Sequence, residues 1–114
     1  MQDQLGHVTV APEVIMEIVR QTALATKGVA RLDSLHPRGV RRLTGKSAEG
    51  IALDIQANTV AIDLHIVAEP TAQMLDLGRA LQSEISRAIQ DILGMPVRAI
   101  HVHIEDVADR FAQT

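Results

Sequence analysis

The first third of the chain predicts a short strand followed by a helix. Polar and apolar residues alternate over 7–10, which is typical of a strand with one buried face. Apolar residues then recur at helical spacing over 14–22, directly after Pro12, which suits the first position of a helix because its missing N–H needs no partner there. Gly28 tolerates the positive φ of a helix C-terminus, and residues 29–32 predict a second short strand.

The middle of the chain predicts a loop and then a β-hairpin. Periodicity disappears from about 33 to 50, where glycines, a proline and basic residues accumulate. Alternation returns over 51–56 and 60–67. The intervening Ala57-Asn58 pair suits a tight turn, since Asn tolerates the left-handed conformation. We therefore expect two antiparallel strands that are neighbours in one sheet.

A long amphipathic helix and a final strand complete the pattern. The helix is predicted from about 72 to 93, with Thr71 as its N-terminal cap and Gly94 as its C-terminal cap. Its apolar stripe comprises Met74, Gly78, Leu81, Ile85, Ala88, Ile89 and Ile92. Because Gly78 costs about 1 kcal/mol relative to Ala in a helix, we expect another element to approach it closely. Alternation from 97 to 105 predicts the last strand.

These elements predict one α+β domain over 1–114, with a core from about 6 to 107 and the order β-α-β-β-β-α-β. Alternating strands favour a mostly antiparallel sheet, because such a sheet can bury one face and expose the other. We expect both helices to pack on the buried face. The opposite face is expected to lie open to solvent.

The exposed face carries candidate chemistry. We expect His65 and His103 on it, opposite Leu64 and Val102. The candidate interaction residues of this face are Asp63, His65, His101 and His103. Imidazoles and carboxylates on one surface also suit zinc or another divalent ion, so a metal-binding function is an alternative. A simply solvated face is the more common reason for such a pattern, and we predict neither a metal nor a cofactor.

The loop at about 33–50 is a second candidate surface. Arg38, Arg41 and Arg42 cluster there with Lys46. Such a cluster can bind an anionic ligand, which makes an anion-binding regulator a further alternative, although basic loops are more often only solvated. The whole chain carries a net charge of −3, which gives no electrostatic argument for binding nucleic acid.

Composition narrows the function classes further. Phe111 is the only aromatic residue, so the core must be aliphatic, and sites that depend on base stacking or cation–π contacts are disfavoured. The chain has no cysteine, which excludes disulfides and thiolate nucleophiles. No nucleophile with an adjacent base is recognisable, so we predict no enzymatic activity and no catalytic residues. We also predict no signal peptide and no membrane span.

Three segments, taken in order, carry a family resemblance. They are GHVTVAPEVI at 6–15, TKGVA at 26–30 and VRAIHVHIEDV at 97–107. Together with the hairpin strand and the long helix between them, they resemble the alkaline shock protein twenty-three family of Gram-positive bacteria. The chain departs from that family in its more basic loop and in the approach to the second helix at 69–72, where the family has aromatic and glycine residues.

The resemblance implies a small cytoplasmic protein of the envelope stress response, with no catalytic residues and no cofactor. Family members are described as self-associating or as held at the membrane by a separate integral-membrane protein. We therefore expect a scaffold that works by protein–protein interaction, either as a homo-oligomer or with a small membrane partner. No nucleic acid and no direct membrane insertion are expected, and the expected location is the cytoplasm, peripheral to the membrane through the partner.

Overall fold

The structure is a computed structural model that describes residues 5–33 and 47–108. Its elements are α1 (Pro12–Ala25), β1 (Val29–Leu32), β2 (Ser47–Ala48), β3 (Ile51–Gln56), β4 (Thr59–Ala68), α2 (Met74–Leu93) and β5 (Val97–Val107). The predicted α+β class is confirmed, and the order of elements matches approximately. It differs where 7–10 forms no strand, and where β2 lies in the segment that we assigned to the loop.

The missing first strand has a physical reason in the sheet. Val8 is 93% exposed, and Val10 alone of this segment packs partly against the core, so the alternation at 7–10 does not bury a full apolar face. The central strand β4 already has neighbours on both edges, and no edge of it remains for this segment. Four alternating residues specify a strand only where a partner strand is available.

β4 organises the sheet. Along one edge it pairs in parallel with β5, from Val60 beside Val97 to Ala68 beside Val107. Along the other edge it pairs antiparallel first with β3 and then with β1, and β2 extends the sheet beyond β3. A parallel pair needs a long crossover connection, which α2 supplies between β4 and β5. The sheet is therefore mostly antiparallel, as predicted.

Both helices pack on the same face of the sheet, and the core between them is aliphatic. The helices contribute Ile15, Val19, Ala23, Leu77, Leu81, Ile85 and Ile89 to this core. The strands contribute Val29, Ile51, Leu53, Val60, Ile62, Leu64, Ile66, Ala68 and Ile100. This arrangement confirms two helices on one face, and the core that residues 5–33 and 47–108 form contains no aromatic side chain.

The predicted hairpin turn and the predicted C-terminal cap of α2 are confirmed, but its predicted N-terminal cap is not. The hairpin turns at Ala57-Asn58 as predicted, with Asn58 left-handed at a φ of 65°; Ala57 is left-handed as well, at a φ of 50°. Gly94 ends α2 in the left-handed conformation, also as predicted. The prediction of Thr71 as a cap is wrong, because α2 begins later and Gln73 stands at its N-cap without a side-chain hydrogen bond.

Two expectations about α2 are also wrong. A Cβ added at Gly78 would meet nothing within 4 Å, so no other element of the described part of the chain approaches this glycine closely. Ile92 is 64% exposed, while the buried positions are four residues apart and start at Leu77. The helix buries one narrow row of side chains against the sheet, and periodicity alone overestimates the width of that row.

Within the described ranges, neither helix is long and apolar enough to cross a lipid bilayer.

Candidate functional site on the outer face of the sheet

Two neighbouring strands align polar residues on the outer face, which is the face of the sheet away from the helices. In the parallel register of β4 and β5, Asp63 lies beside His101 and His65 lies beside His103. Glu105 lies further along β5, at an irregularity in the β4–β5 register, and its carboxylate contacts His65. The sheet thereby brings distant parts of the sequence into one row of side chains.

The imidazoles of His65 and His103 stack on one another. Their ring centroids are 4.4 Å apart and their planes differ by 10°. On the opposite face, Leu64 belongs to the core and Val102 packs against it. The predicted register, with both histidines on one face opposite these two apolar residues, is confirmed.

The expectation that His65 faces solvent is wrong, because only 4% of this residue is exposed. Ala52 and Val67, which lie on the same face, are buried as well. Alternation along a strand specifies the face that a side chain occupies, but it does not specify whether that face is covered. By contrast His101 is exposed, as predicted.

Each stacked imidazole contacts a carboxylate on the neighbouring strand. His65 Nδ1 lies 2.7 Å from Glu105 Oε2, and the side chain of Glu105 is 21% exposed. His103 Nε2 lies 3.2 Å from Asp63 Oδ1 in a more solvated pair. We refer to these four residues as the His–carboxylate cluster.

Hydrogen bonds to Gly50 and Asp33 hold the backbone of the buried His65 in place. The His65 N–H donates to the Gly50 carbonyl and the His65 carbonyl accepts from the Asp33 N–H, both at 2.8 Å. Gly50 has a φ of +82°, and a Cβ there would lie 2.8 Å from the Asp33 carbonyl oxygen and 2.9 Å from that of His65. No side chain fits at Gly50, where the segments of Asp33, Gly50 and His65 meet, and so the site depends on this glycine. The sequence alone indicated only that Gly50 lies in a loop.

Sequence reasoning also missed Glu105 as a member of the site. The available signal was its spacing, since His101, His103 and Glu105 are each two residues apart on one strand. The pairing of Glu105 with His65 joins positions that are 40 residues apart in the chain, and only the sheet register brings them together.

The basic loop lies outside the described residues. This applies to Arg38, Arg41, Arg42 and Lys46. Their assignment as an interaction surface, and the alternative of an anionic ligand, stay predictions.

The cluster has the chemistry of a ligand set. Within the described part of the chain, one group of histidine and acidic residues could hold a metal ion, and it comprises His65, His103 and Glu105. One ligand atom from each lies within 4.8 Å of the others. Both histidines also contact carboxylates, His65 that of Glu105 and His103 that of Asp63, and these contacts stabilise the row without any ion.

Comparisons of sequence identify relatives. The sequence model of the alkaline shock protein twenty-three family, which is described as having a cell envelope-related function, matches residues 1–109. The uncharacterized protein YqhY of Bacillus subtilis (strain 168) is 26% identical over 102 residues, which cover 88% of this chain and 76% of YqhY. The family resemblance seen in the three sequence segments is thereby confirmed.

Comparisons of structure find a similar fold in variants of MamM CTD. A zinc form has a TM-score of 0.52 at 11% sequence identity, covering 85% of this chain and 87% of that chain. A manganese form has a TM-score of 0.50 at 12% identity, covering 82% of this chain and 96% of that chain. At such low identity the likeness concerns the fold alone.

Proposed function

Because the chain belongs to the alkaline shock protein twenty-three family, whose function is cell envelope-related, we propose that it is a non-enzymatic scaffold of the envelope stress response. It acts by protein–protein interaction in the cytoplasm. Its first partner is a second copy of itself, and a small integral-membrane protein holds the assembly at the membrane.

The observation that supports this proposal best is the position of β5 at the edge of the sheet. β5 has 11 residues, and among the described strands it pairs only with β4. An open strand edge is a template for pairing with another chain. The Gln82 side chain covers the edge at one point, where it donates to the Ile100 carbonyl at 3.0 Å.

The outer face beside this edge is suited to a broad contact. Ala61 and Ala99 lie side by side and are partly exposed, so this part of the face is flat. His101 adds an exposed polar group next to them. With no large aromatic side chain to serve as an anchor, binding would be distributed over many modest contacts, which self-association repeats.

Substitution of Ala99 tests self-association. Ala99→Arg places a long charged side chain in the flat part of the outer face, and Gln90→Arg places the same side chain on the exposed surface of α2. We expect the wild type and Gln90→Arg to form oligomers as concentration rises in analytical ultracentrifugation, and Ala99→Arg to stay monomeric. A wild type that is monomeric at every concentration would contradict self-association, provided that circular dichroism shows a folded chain.

Membrane fractionation and pull-down from the native cell test the membrane partner. Under envelope or alkaline stress, we expect the protein to sediment with membranes and to release on detergent extraction together with a small integral-membrane protein. A chain that stays in the soluble fraction without any partner would defeat this part of the proposal, while leaving the ultracentrifugation result intact.

A further inference from the structure

We propose that His65, His103 and Glu105 form a binding site for a divalent transition-metal ion, with Zn²⁺ as the best-suited ion. This inference does not rest on the proposed scaffold function. The three residues offer two imidazole nitrogens and one carboxylate oxygen, all within 4.8 Å of one another. Imidazole and carboxylate ligands without a thiolate suit Zn²⁺ and its first-row neighbours better than Ca²⁺ or Mg²⁺.

The distances between the ligand atoms are close to those expected around a bound ion. Zn²⁺ holds imidazole nitrogens and carboxylate oxygens at about 2.0–2.2 Å, so two ligand atoms on a tetrahedral ion lie about 3.3 Å apart. His65 Nδ1 and Glu105 Oε2 are now 2.7 Å apart, as expected for atoms that share a proton. An ion would replace that proton, and the two atoms would move from 2.7 Å apart to about 3.3 Å apart.

The stacked rings need only to turn slightly. Parallel planes at a centroid distance of 4.4 Å direct the ring nitrogens along similar lines rather than toward one point. The χ2 torsion of histidine has a broad energy minimum, so the rings can tilt without moving the backbone. The backbone of His65 is held by hydrogen bonds on both sides, and so it provides a fixed point for the site.

Burial and charge also suit a bound cation. His65 is buried, whereas the side chain of His103 is 44% exposed, so the site is closed on one side and open on the other. The open side admits the ion and leaves room for a water as a fourth ligand. Glu105 supplies negative charge directly, and Asp63 supplies more from beside His103.

Asp63 is a positioning residue in this proposal. Its Oδ1 lies 3.2 Å from His103 Nε2, and carboxylates that contact a ligating histidine orient the ring and raise its basicity. Removal of such a carboxylate typically lowers metal affinity by about 10–100-fold. Loss of Asp63 should therefore weaken binding without removing a ligand.

The test measures Zn²⁺ affinity of the untagged full chain by competition with a chromophoric chelator, and metal content by elemental analysis after dialysis. We expect one Zn²⁺ per chain in the wild type. His103→Ala and Glu105→Gln should each weaken binding at least tenfold, and Asp63→Asn should weaken it about 10–100-fold. These variants avoid the buried His65, and thermal unfolding confirms that each of them is folded.

His101→Ala is the matched control, because this histidine lies on the same strand and the same face but outside the ligand group. It should bind Zn²⁺ as the wild type does. Co²⁺ provides a second readout, since three protein ligands and a water should give the intense visible bands of a tetrahedral ion, and His103→Ala should lose them. The proposal is overturned if no stoichiometric Zn²⁺ binds, or if His101→Ala loses as much affinity as His103→Ala.

Discussion

The two faces of the sheet bury their residues for different physical reasons, and two neighbours on β4 show the contrast. Leu64 is fully buried on the helix-facing side, where it joins an aliphatic cluster. His65 is 4% exposed on the outer face, where its imidazole contacts a carboxylate and stacks on His103. The first face is held by non-directional apolar contact, whereas the second combines buried Ala52 and Val67 with paired polar groups.

The difference matters because the two kinds of burial fail in different ways. An apolar core tolerates exchanges that conserve volume, since it has no donors or acceptors to satisfy. A buried polar group costs free energy unless each partner is in place. Among the described residues no buried side-chain nitrogen or oxygen lacks a hydrogen-bond partner. The outer face is therefore expected to be more sensitive to the identity of its residues than to their size.

The largest loss is expected on the helix-facing side. Leu64→Ala removes a fully buried side chain and leaves a cavity, which should lower the free energy of unfolding by about 3 kcal/mol. Urea denaturation followed by far-ultraviolet circular dichroism measures this loss. Leu75→Ala is the control, because Leu75 is 76% exposed and its truncation should change stability by less than about 0.5 kcal/mol. Equal losses at both positions would mean that the core is not where we place it.

A nearly equal loss is expected at the glycine that supports the outer face. Gly50→Ala puts a Cβ within 3.0 Å of two backbone carbonyl oxygens at a φ of +82°, and should cost about 2–3 kcal/mol. Gly94→Ala is matched, because it also has a positive φ but open space around it, and should cost about 1 kcal/mol. Denaturation curves that coincide for the two variants would contradict the tight crossing beside His65.

Within the outer face, burial should separate the two His–carboxylate pairs. Glu105→Ala removes the acceptor next to the buried His65, and should cost about 1–2 kcal/mol. Asp63→Ala removes the partner of the more exposed His103, and the loss should stay below about 1 kcal/mol. Chemical denaturation in metal-free buffer measures both. If Asp63→Ala lowers the free energy of unfolding more than Glu105→Ala does, burial does not decide which pair contributes more to stability.

The smallest effect is expected on the helix surface and has the opposite sign. Gly78→Ala should stabilise the protein by about 0.5–1 kcal/mol, because the added methyl group meets nothing and alanine loses less entropy in a helix. An increase in melting temperature is the expected result. A decrease would show that the chain or a partner does approach Gly78, as the sequence pattern suggested.

Much of the secondary structure could be predicted because its signals are local. The start of α1 at Pro12, the hairpin turn at Asn58 and the end of α2 at Gly94 each depend on the φ preference of the named residue. The strand predicted at 7–10 is wrong because a strand also requires pairing with a neighbour, and this segment pairs with none of the described strands. The cap predicted at Thr71 is wrong because α2 begins only after Gln73, whose side chain makes no cap hydrogen bond, so cap propensity did not decide where this helix starts.

The candidate site was predictable only in part, for a related reason. Period-two alternation put His65 and His103 on one face, and the structure confirms that arrangement. The alternation could not reveal that Glu105 is paired with His65, because that contact depends on the parallel register between β4 and β5. The requirement for glycine at position 50 arises from three segments that meet around one backbone, and no single segment contains this information.

The sequence by itself determined the α+β class, the aliphatic core and the shared face of His65 and His103, since these follow from composition and period. The tertiary structure alone decided that the outer face is partly covered and that its histidines meet carboxylates there. The physical reason is that periodicity is a property of one strand, whereas burial, stacking and ligand geometry are properties of the distances between strands.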